Sequence, residues 1–349
     1  MINCIIHAKD TIKTRKHFFV LIVLNLIFSC AQTPQQRVSK DNLVPQKVKK
    51  SIVCIVTWQD TKFSYGSGFF VAPDQIATNI HVVAHQGPTF AKLVDSETIW
   101  LVEGITGYDV KNDLVVLKIS GESTPLPLTD SDDVQTGTPI VAFGYPDGKY
   151  KAMPGTIARS KKIFDWLRIK VKTSVGSSGG PVLNKEGNVI GIIVGYRNDK
   201  FHSYAIPANT LKVLLADPSA FESLREWRKR DVIRASAYDI QGQKKYRAKD
   251  YKAAITNFDK AIQLNPDISV FYYNRGTAKL RLAESTKKHG NVGPARELYQ
   301  AAIDDYTQTI EKNPWNVSAY RNRGHAKVVL GQKDSAKTDF DKAMELTLE

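Results

Sequence analysis

Gly176-Ser-Ser-Gly-Gly-Pro181 places two serines among three glycines ahead of a proline. That composition suits a tight turn, in which glycines let backbone amides turn where a side chain would clash. If the N–H groups of Gly176 and Ser178 face one point, they form a cradle for a developing oxyanion beside the Ser178 hydroxyl. A serine hydroxyl is a weak nucleophile at neutral pH, so this reading requires a base and an acid that orients it. Upstream, Ala77-Thr-Asn-Ile-His-Val-Val83 supplies His81, and Asp113-Leu-Val-Val-Leu-Lys-Ile119 supplies Asp113 at the mouth of an apolar run. Asp109 competes with Asp113 for the orienting role, but the strand run starts directly after Asp113. His81 and His85 also stand four apart, as metal ligands on a helix do, but Val82 occupies the place of the glutamate such zinc motifs carry.

Around these motifs the chain consists of short β-branched and aromatic runs separated by turn residues, the pattern of an all-β sandwich or barrel. Such runs include Ile52 to Trp58, Leu114 to Ile119, Ile140 to Phe143, Leu167 to Val171 and Val189 to Val194. From about residue 232 the period becomes helical. The chain has 349 residues, 42% hydrophobic, with 49 basic and 35 acidic residues and a formal net charge of +14. Length and composition exclude a single small domain and a disordered chain. The charge is spread widely, and no zinc-finger spacing, helix-turn-helix pattern or interleaved aromatic platform points to nucleic acid.

Taken together, Gly66-Ser-Gly-Phe-Phe-Val71, the His81, Asp113 and Ser178 segments and Tyr204-Ala-Ile-Pro207 resemble the trypsin-like serine proteases, and among them the bacterial HtrA (DegP) type. The resemblance covers residues 51–215. It implies the chymotrypsin fold, an all-β pair of barrels with the site in the cleft between them, and peptide-bond hydrolysis through an acyl-enzyme without metal or organic cofactor. It also puts Lys172 at the floor of the specificity pocket, with Ile192 and Ile193 as candidate walls. Strand alternation sets Lys170 and Lys172 on one face, where both could equally be solvated. Two positions depart from the family pattern: Ile80 separates Asn79 from His81, and Ser177 stands where the HtrA type has Asn. Without an acid at 177, a freed N-terminal amine has nothing to pair with, so activation by zymogen cleavage is not expected. No counterpart of the family's PDZ domain is expected in residues 1–349.

The C-terminal part repeats itself. Tyr238, Gly242 and Lys245 recur 34 residues later as Tyr272, Gly276 and Lys279. Tyr272, Asn274, Arg275, Gly276, Ala278 and Lys279 recur 48 later as Tyr320, Asn322, Arg323, Gly324, Ala326 and Lys327. The difference of 14 marks an insertion near 284–297. Residues 232–349 resemble about three tetratricopeptide (TPR) repeats, an all-α solenoid with one concave face. Asn274, Arg275, Asn322, Arg323 and Lys327 are candidates for that groove, where a peptide or protein partner would bind, or else form a solvated face. Residues 216–231, with Arg225, Arg228, Lys229 and Arg230, are expected as a basic linker.

At the other end, Lys9, Lys13, Arg15 and Lys16 precede the apolar run Phe18 to Phe28. Eleven residues reach about 16 Å, roughly half a hydrocarbon core, so residues 1–29 are expected as a signal peptide rather than a spanning helix. Ile27-Phe28-Ser29-Cys30 resembles a bacterial lipobox, which implies lipidation at Cys30; a simple secreted start and an uncleaved anchor stay open. Residues 30–50 are expected as a tether. With Cys4 and Cys30 at this end, only Cys54 remains as a structural thiol, and no disulfide framework is possible. The expectation is an envelope or periplasmic, lipid-anchored serine endopeptidase whose repeats recruit protein substrates or partners. The alternative is a protease-fold scaffold without activity, acting through its groove.

Overall fold

The structure is a computed structural model that describes residues 46–348 apart from 60–61, 95, 160–165 and 196–202. The signal peptide, Cys4, Cys30 and most of the tether lie outside the described residues. Chain order begins with a 3-10 turn, Gln46–Ser51, whose Val48 is buried, so the last residues of the expected tether belong to the folded part.

Six strands close the first barrel: β1 (Ile52–Gln59), β2 (Lys62–Ala72), β3 (Gln75–Asn79), β4 (Thr89–Leu93), β5 (Ile99–Asp109) and β6 (Leu114–Ile119). Their order is β5-β4-β1-β2-β3-β6, and β6 returns to β5, so no edge is left open between them. Six more close the second barrel: β7 (Pro139–Gly144), β8 (Lys151–Arg159), β9 (Leu167–Lys170), β10 (Pro181–Leu183), β11 (Val189–Gly195) and β12 (Ser203–Pro207).

The period-two pattern of the strands divides their side chains between two cores. In β1, Ile52, Cys54 and Val56 join Val141, Phe143, Leu183, Val189 and Ile192 in a core shared by both barrels. Val53 and Ile55 face a second cluster of the first barrel. In β11, Ile190 and Ile193 join the separate core of the second barrel. The shared core fixes one barrel against the other, and therefore fixes the cleft.

Helix α1 (Ile80–Val83) is a single turn between β3 and β4. Helix α2 (Ala208–Ala216) follows the second barrel and buries Ala208 and Leu211 in the shared core. The expected linker at 216–231 is instead a folded part of the first barrel. Strand β13 (Glu222–Ser223) pairs with β5, and its approach requires Gly104, where a Cβ would lie 2.2 Å from the Glu222 carbonyl oxygen. Helix α3 (Leu224–Trp227) then drives Leu224 and Trp227 into the first barrel's cluster, where Trp227 is fully buried and meets Tyr108 edge to face. Apolar residues between the charges decide this segment: Leu224, Trp227 and Ile233 are spaced to bury one face while the arginines and lysine surround it.

Six further helices follow: α4 (Asp231–Arg247), α5 (Tyr251–Leu264), α6 (Ser269–Lys288), α7 (Val292–Lys312), α8 (Val317–Val329) and α9 (Lys333–Leu348). They pack as three consecutive hairpins, with α5 against α6 and α7 against α8. In each hairpin a glycine of the first helix meets an aromatic ring of the second: Gly242 meets Phe258, Gly276 meets Tyr306, and Gly324 meets Phe340. The 14-residue insertion makes no loop. It lengthens α6 and α7 to 20 and 21 residues around the short turn at His289–Asn291. Seven residues are about two helical turns, so splitting the insertion between two helices keeps every face in register.

Candidate active site

Asp113 sits in the turn between β5 and β6 with φ 56°, a left-handed conformation that aspartate tolerates better than most residues. From there it holds His81 twice. One carboxylate oxygen accepts the His81 backbone N–H at 3.0 Å, and the other pairs with imidazole Nδ1 at 2.5 Å. The Asp113 carbonyl accepts from Ile80 N–H and from the Asn79 side chain, tying the turn to the start of α1. Asp109 serves a different purpose, because its carboxylate accepts the backbone and side-chain N–H groups of Asn112 and so shapes the turn that presents Asp113.

Partial burial pulls the His81 imidazole down, but the charge and hydrogen bond of Asp113 outweigh it. With a further contribution from Asp239 on α4, and against Arg247, they hold its pKa above the ordinary 6.5. His85 is the opposite case. Burial, together with the charges of Arg228, His81 and Lys244, lowers its pKa to about 4, so it is neutral near pH 7. Among the described residues no cluster of three or more His, Cys, Asp or Glu side chains is arranged to hold a metal ion.

The serine loop is held from both barrels. Gly176 and Gly179 have φ of 96° and 84°, and at both a Cβ would collide with backbone. Within the second barrel, Gly179 N–H donates to the Ile193 carbonyl, and Ile193 N–H donates to the Gly180 carbonyl. From the first barrel, Ser67 N–H donates to the Ser178 carbonyl at 2.8 Å. The buried Ser67 hydroxyl donates to the Gly176 carbonyl at 2.7 Å and accepts Tyr145 N–H at 2.8 Å. Turning the Gly176 carbonyl toward Ser67 leaves the neighbouring amides to the other side. Among the described residues, neither Gly176 N–H nor Ser178 N–H has an acceptor.

Ser178 therefore lies on a loop docked against β2 and β3, the strand that leads into the His81 helix. Its hydroxyl donates to the Val194 carbonyl at 3.3 Å and not to His81. Sequence reasoning missed Ser67, whose partners stand 109 and 78 positions away.

Two sets of expected site residues are placed elsewhere. Ile192 and Ile193 are fully buried in barrel cores, so neither forms a pocket wall open to a ligand. Lys172 is exposed, between buried Val171 and Thr173, and Thr173 bonds to Ser203 at 2.6 Å. Lys172 lies two residues beyond the end of β9, exposed to solvent.

The expected groove residues are engaged within the chain. Arg275 reaches Asp305 on α7 and Asp259 on α5, and Lys279 also pairs with Asp305. Arg323 and Lys327 pair with Asp339 on α9, and Arg323 also donates to Thr307 on α7. Asn274 donates to Asp239, and Asn322 to the Tyr273 hydroxyl. Asp305 and Asp339 are buried, so two cations on each satisfy a carboxylate that would be costly alone. These side chains tie the two helices of a hairpin to each other and each hairpin to the one before it.

Two barrels, a His–Asp pair and a serine on a glycine turn define a protease-like domain. Residues 66–192 match the family described as "Trypsin-like peptidase domain". Among curated relatives, a probable periplasmic serine endoprotease DegP-like from Hahella chejuensis is 36% identical over 138 residues, covering 37% of this chain and 29% of that protein. The protein of the same description from Rickettsia prowazekii is 32% identical over 169 residues, covering 43% and 32%. The chain thus spans about a third of the length of the curated relatives it matches. A solved structure, the Rv3671c protease from M. tuberculosis in its active form, aligns with 22% identity and a TM-score of 0.47 over 55% of this chain and 96% of that one.

Proposed function

We propose that the chain is an exported serine endopeptidase in which Ser178 is the nucleophile, His81 the general base and Asp113 the residue that orients the base. The observation that carries this reading is the double hold of Asp113 on His81, beside a serine loop whose two adjacent amides lack acceptors. With Nδ1 committed to Asp113, Nε2 is the nitrogen left to take the Ser178 proton. Rotation of the hydroxyl from Val194 toward His81 starts the reaction. Oγ attacks the scissile carbonyl, and the Gly176 and Ser178 N–H groups receive the oxyanion. His81 then gives the proton to the leaving amine, leaving an acyl-enzyme. Water, activated by the same imidazole, releases the acid product and regenerates the serine.

The helical hairpins carry TPR-like spacing, and their role in this reading is to bring protein substrates or partners to the barrels. Relatives named as periplasmic and the basic-apolar start of the chain support export, with Cys30 as the lipid-anchor site. Casein cleavage by the full chain, lost in Ser178→Ala, is the expected result. No cleavage across a range of pH would reject the reading.

One observation favours a second reading, a scaffold without peptidase activity: the Ser178 hydroxyl bonds to a carbonyl instead of the base. On that reading a Ser178→Ala strain keeps the function that deletion of the whole gene removes.

A further inference from the structure

Helix α1 is one turn long, too short to hold itself, since the first turn of a helix fixes several dihedrals for a single hydrogen bond. Its own contribution is the bond from Ala84 N–H to the Ile80 carbonyl. The start of the turn is tied by Asp113. The end is tied from 145 positions away by Arg228, in the short segment between α3 and α4.

The Arg228 guanidinium donates Nε to the Val83 carbonyl at 2.8 Å, Nη1 to the Gly87 carbonyl at 2.6 Å, and Nη2 to Thr89 Oγ1 at 2.7 Å. Arg228 is 4% exposed, and no carboxylate pairs with it among the described residues. A buried charge without a counter-charge is costly, and its compensation here comes from carbonyls at the negative end of α1 and the loop after it. The same burial lowers the guanidinium pKa to about 10. On either side the segment is anchored in the first barrel's core, by Trp227 before it and Ile233 after it. Ile233 belongs to α4, the first helix of the first hairpin.

Resting on the reading of His81 as the base, we propose that Arg228 is a positioning residue for the His81 imidazole, through which the docking of the first helical hairpin sets the placement of the catalytic base. Anything that lifts α4 from the barrel withdraws the guanidinium from α1 and leaves a lone helical turn to hold the imidazole against Asp113. The hairpins then govern the site as well as recruit to it.

The groups facing the two histidines give the test its sign. His81 bonds to Asp113 and feels the charges of Asp239 and Arg247 on α4, and His85 feels those of Arg228, His81 and Lys244. Titration of both imidazoles by NMR in the full chain, with kcat and KM measured in parallel, separates charge from geometry. In Arg228→Met, the His85 pKa is expected to rise because a cation is lost. The His81 pKa is expected to fall back toward 6.5 because the hold of Asp113 loosens, and kcat to fall about ten- to a hundredfold with KM little changed. Arg228→Lys keeps the charge but not the three-pronged reach, so His85 stays low while His81 and kcat still fall. Thr89→Val removes one acceptor without touching the charge and gives a smaller change in the same direction. Should Arg228→Met not fold, Arg228→Lys and Thr89→Val decide the matter. Folded variants in which His81 titration and kcat match the parent would overturn the proposal. A chain that never cleaves protein defeats the reading of His81 as a base, whereas the His81 titration still reports whether Arg228 positions it.

Discussion

The histidine half of the site and the serine half are held in different ways. His81 is fixed through its backbone and its ring by one carboxylate, and its helix is tied at both ends to distant parts of the chain. Around Ser178 the backbone is just as firmly docked, but the hydroxyl has one long bond to a carbonyl and none to the base. The contrast is what the two proposed chemical roles require. A base must keep one tautomer and one direction through the cycle, whereas a nucleophile has to leave its resting bond to react.

Breaking this comparison at Ser178 gives the largest expected effect. Ser178→Ala is expected to lower kcat about a millionfold while melting close to the parent, measured by peptide hydrolysis and calorimetry. Asp113→Asn removes the carboxylate that sets the imidazole tautomer, and a loss of about 10⁴-fold in kcat is expected. A loss under tenfold would show that Asp113 is not the orienting acid.

On the serine side the sharper test is Ser67→Ala. It releases the Gly176 carbonyl and leaves Tyr145 N–H without its acceptor, so kcat should fall about ten- to a hundredfold with a modest change in KM. The stability cost is about 1–3 kcal/mol, the usual cost of an unmet buried polar group. A loss of stability alone, with kcat and oxyanion binding intact, would remove Ser67 from the account.

The smallest effect concerns pH. Since Asp113 and Asp239 hold the His81 pKa above 6.5, activity should rise with pH through a midpoint above that value. For stability the sign is opposite: the His81 contribution is complete below pH 6.5 and is lost as pH rises through the raised pKa. Asp239→Asn removes one raising charge and should move the activity midpoint downward, as measured by kcat against pH.

The sequence made the barrels, the His81–Asp113 pair and the glycine turn at Ser178 readable because each lies in a short motif with its own local chemistry. Arg228 was not readable, since nothing in Arg225-Glu-Trp-Arg-Lys-Arg230 tells the buried arginine from its exposed neighbours. Trp227 was the available sign that this basic stretch folds inward. The partners of the repeat cations were hidden for a related reason: spacing alone does not show that Arg275 and Arg323 meet carboxylates on other helices. A clue was present in the chain itself. Asp305-Tyr306 and Asp339-Phe340 accompany arginine at 275 and 323, whereas Asn257-Phe258 accompanies Gln241 in the first unit. Charge and counter-charge thus change together, the mark of an internal pair. The burial of Ile192 and Ile193, expected as candidate pocket walls, was not readable from strand spacing.

The most direct measurement is intact-mass analysis and peptide mapping of the full chain after exposure to a fluorophosphonate at a pH above the raised pKa of the His81 imidazole. The account predicts a single adduct on Ser178, abolished by His81→Ala in the folded protein. No adduct, an adduct on another residue, or equal labelling without His81 would contradict it.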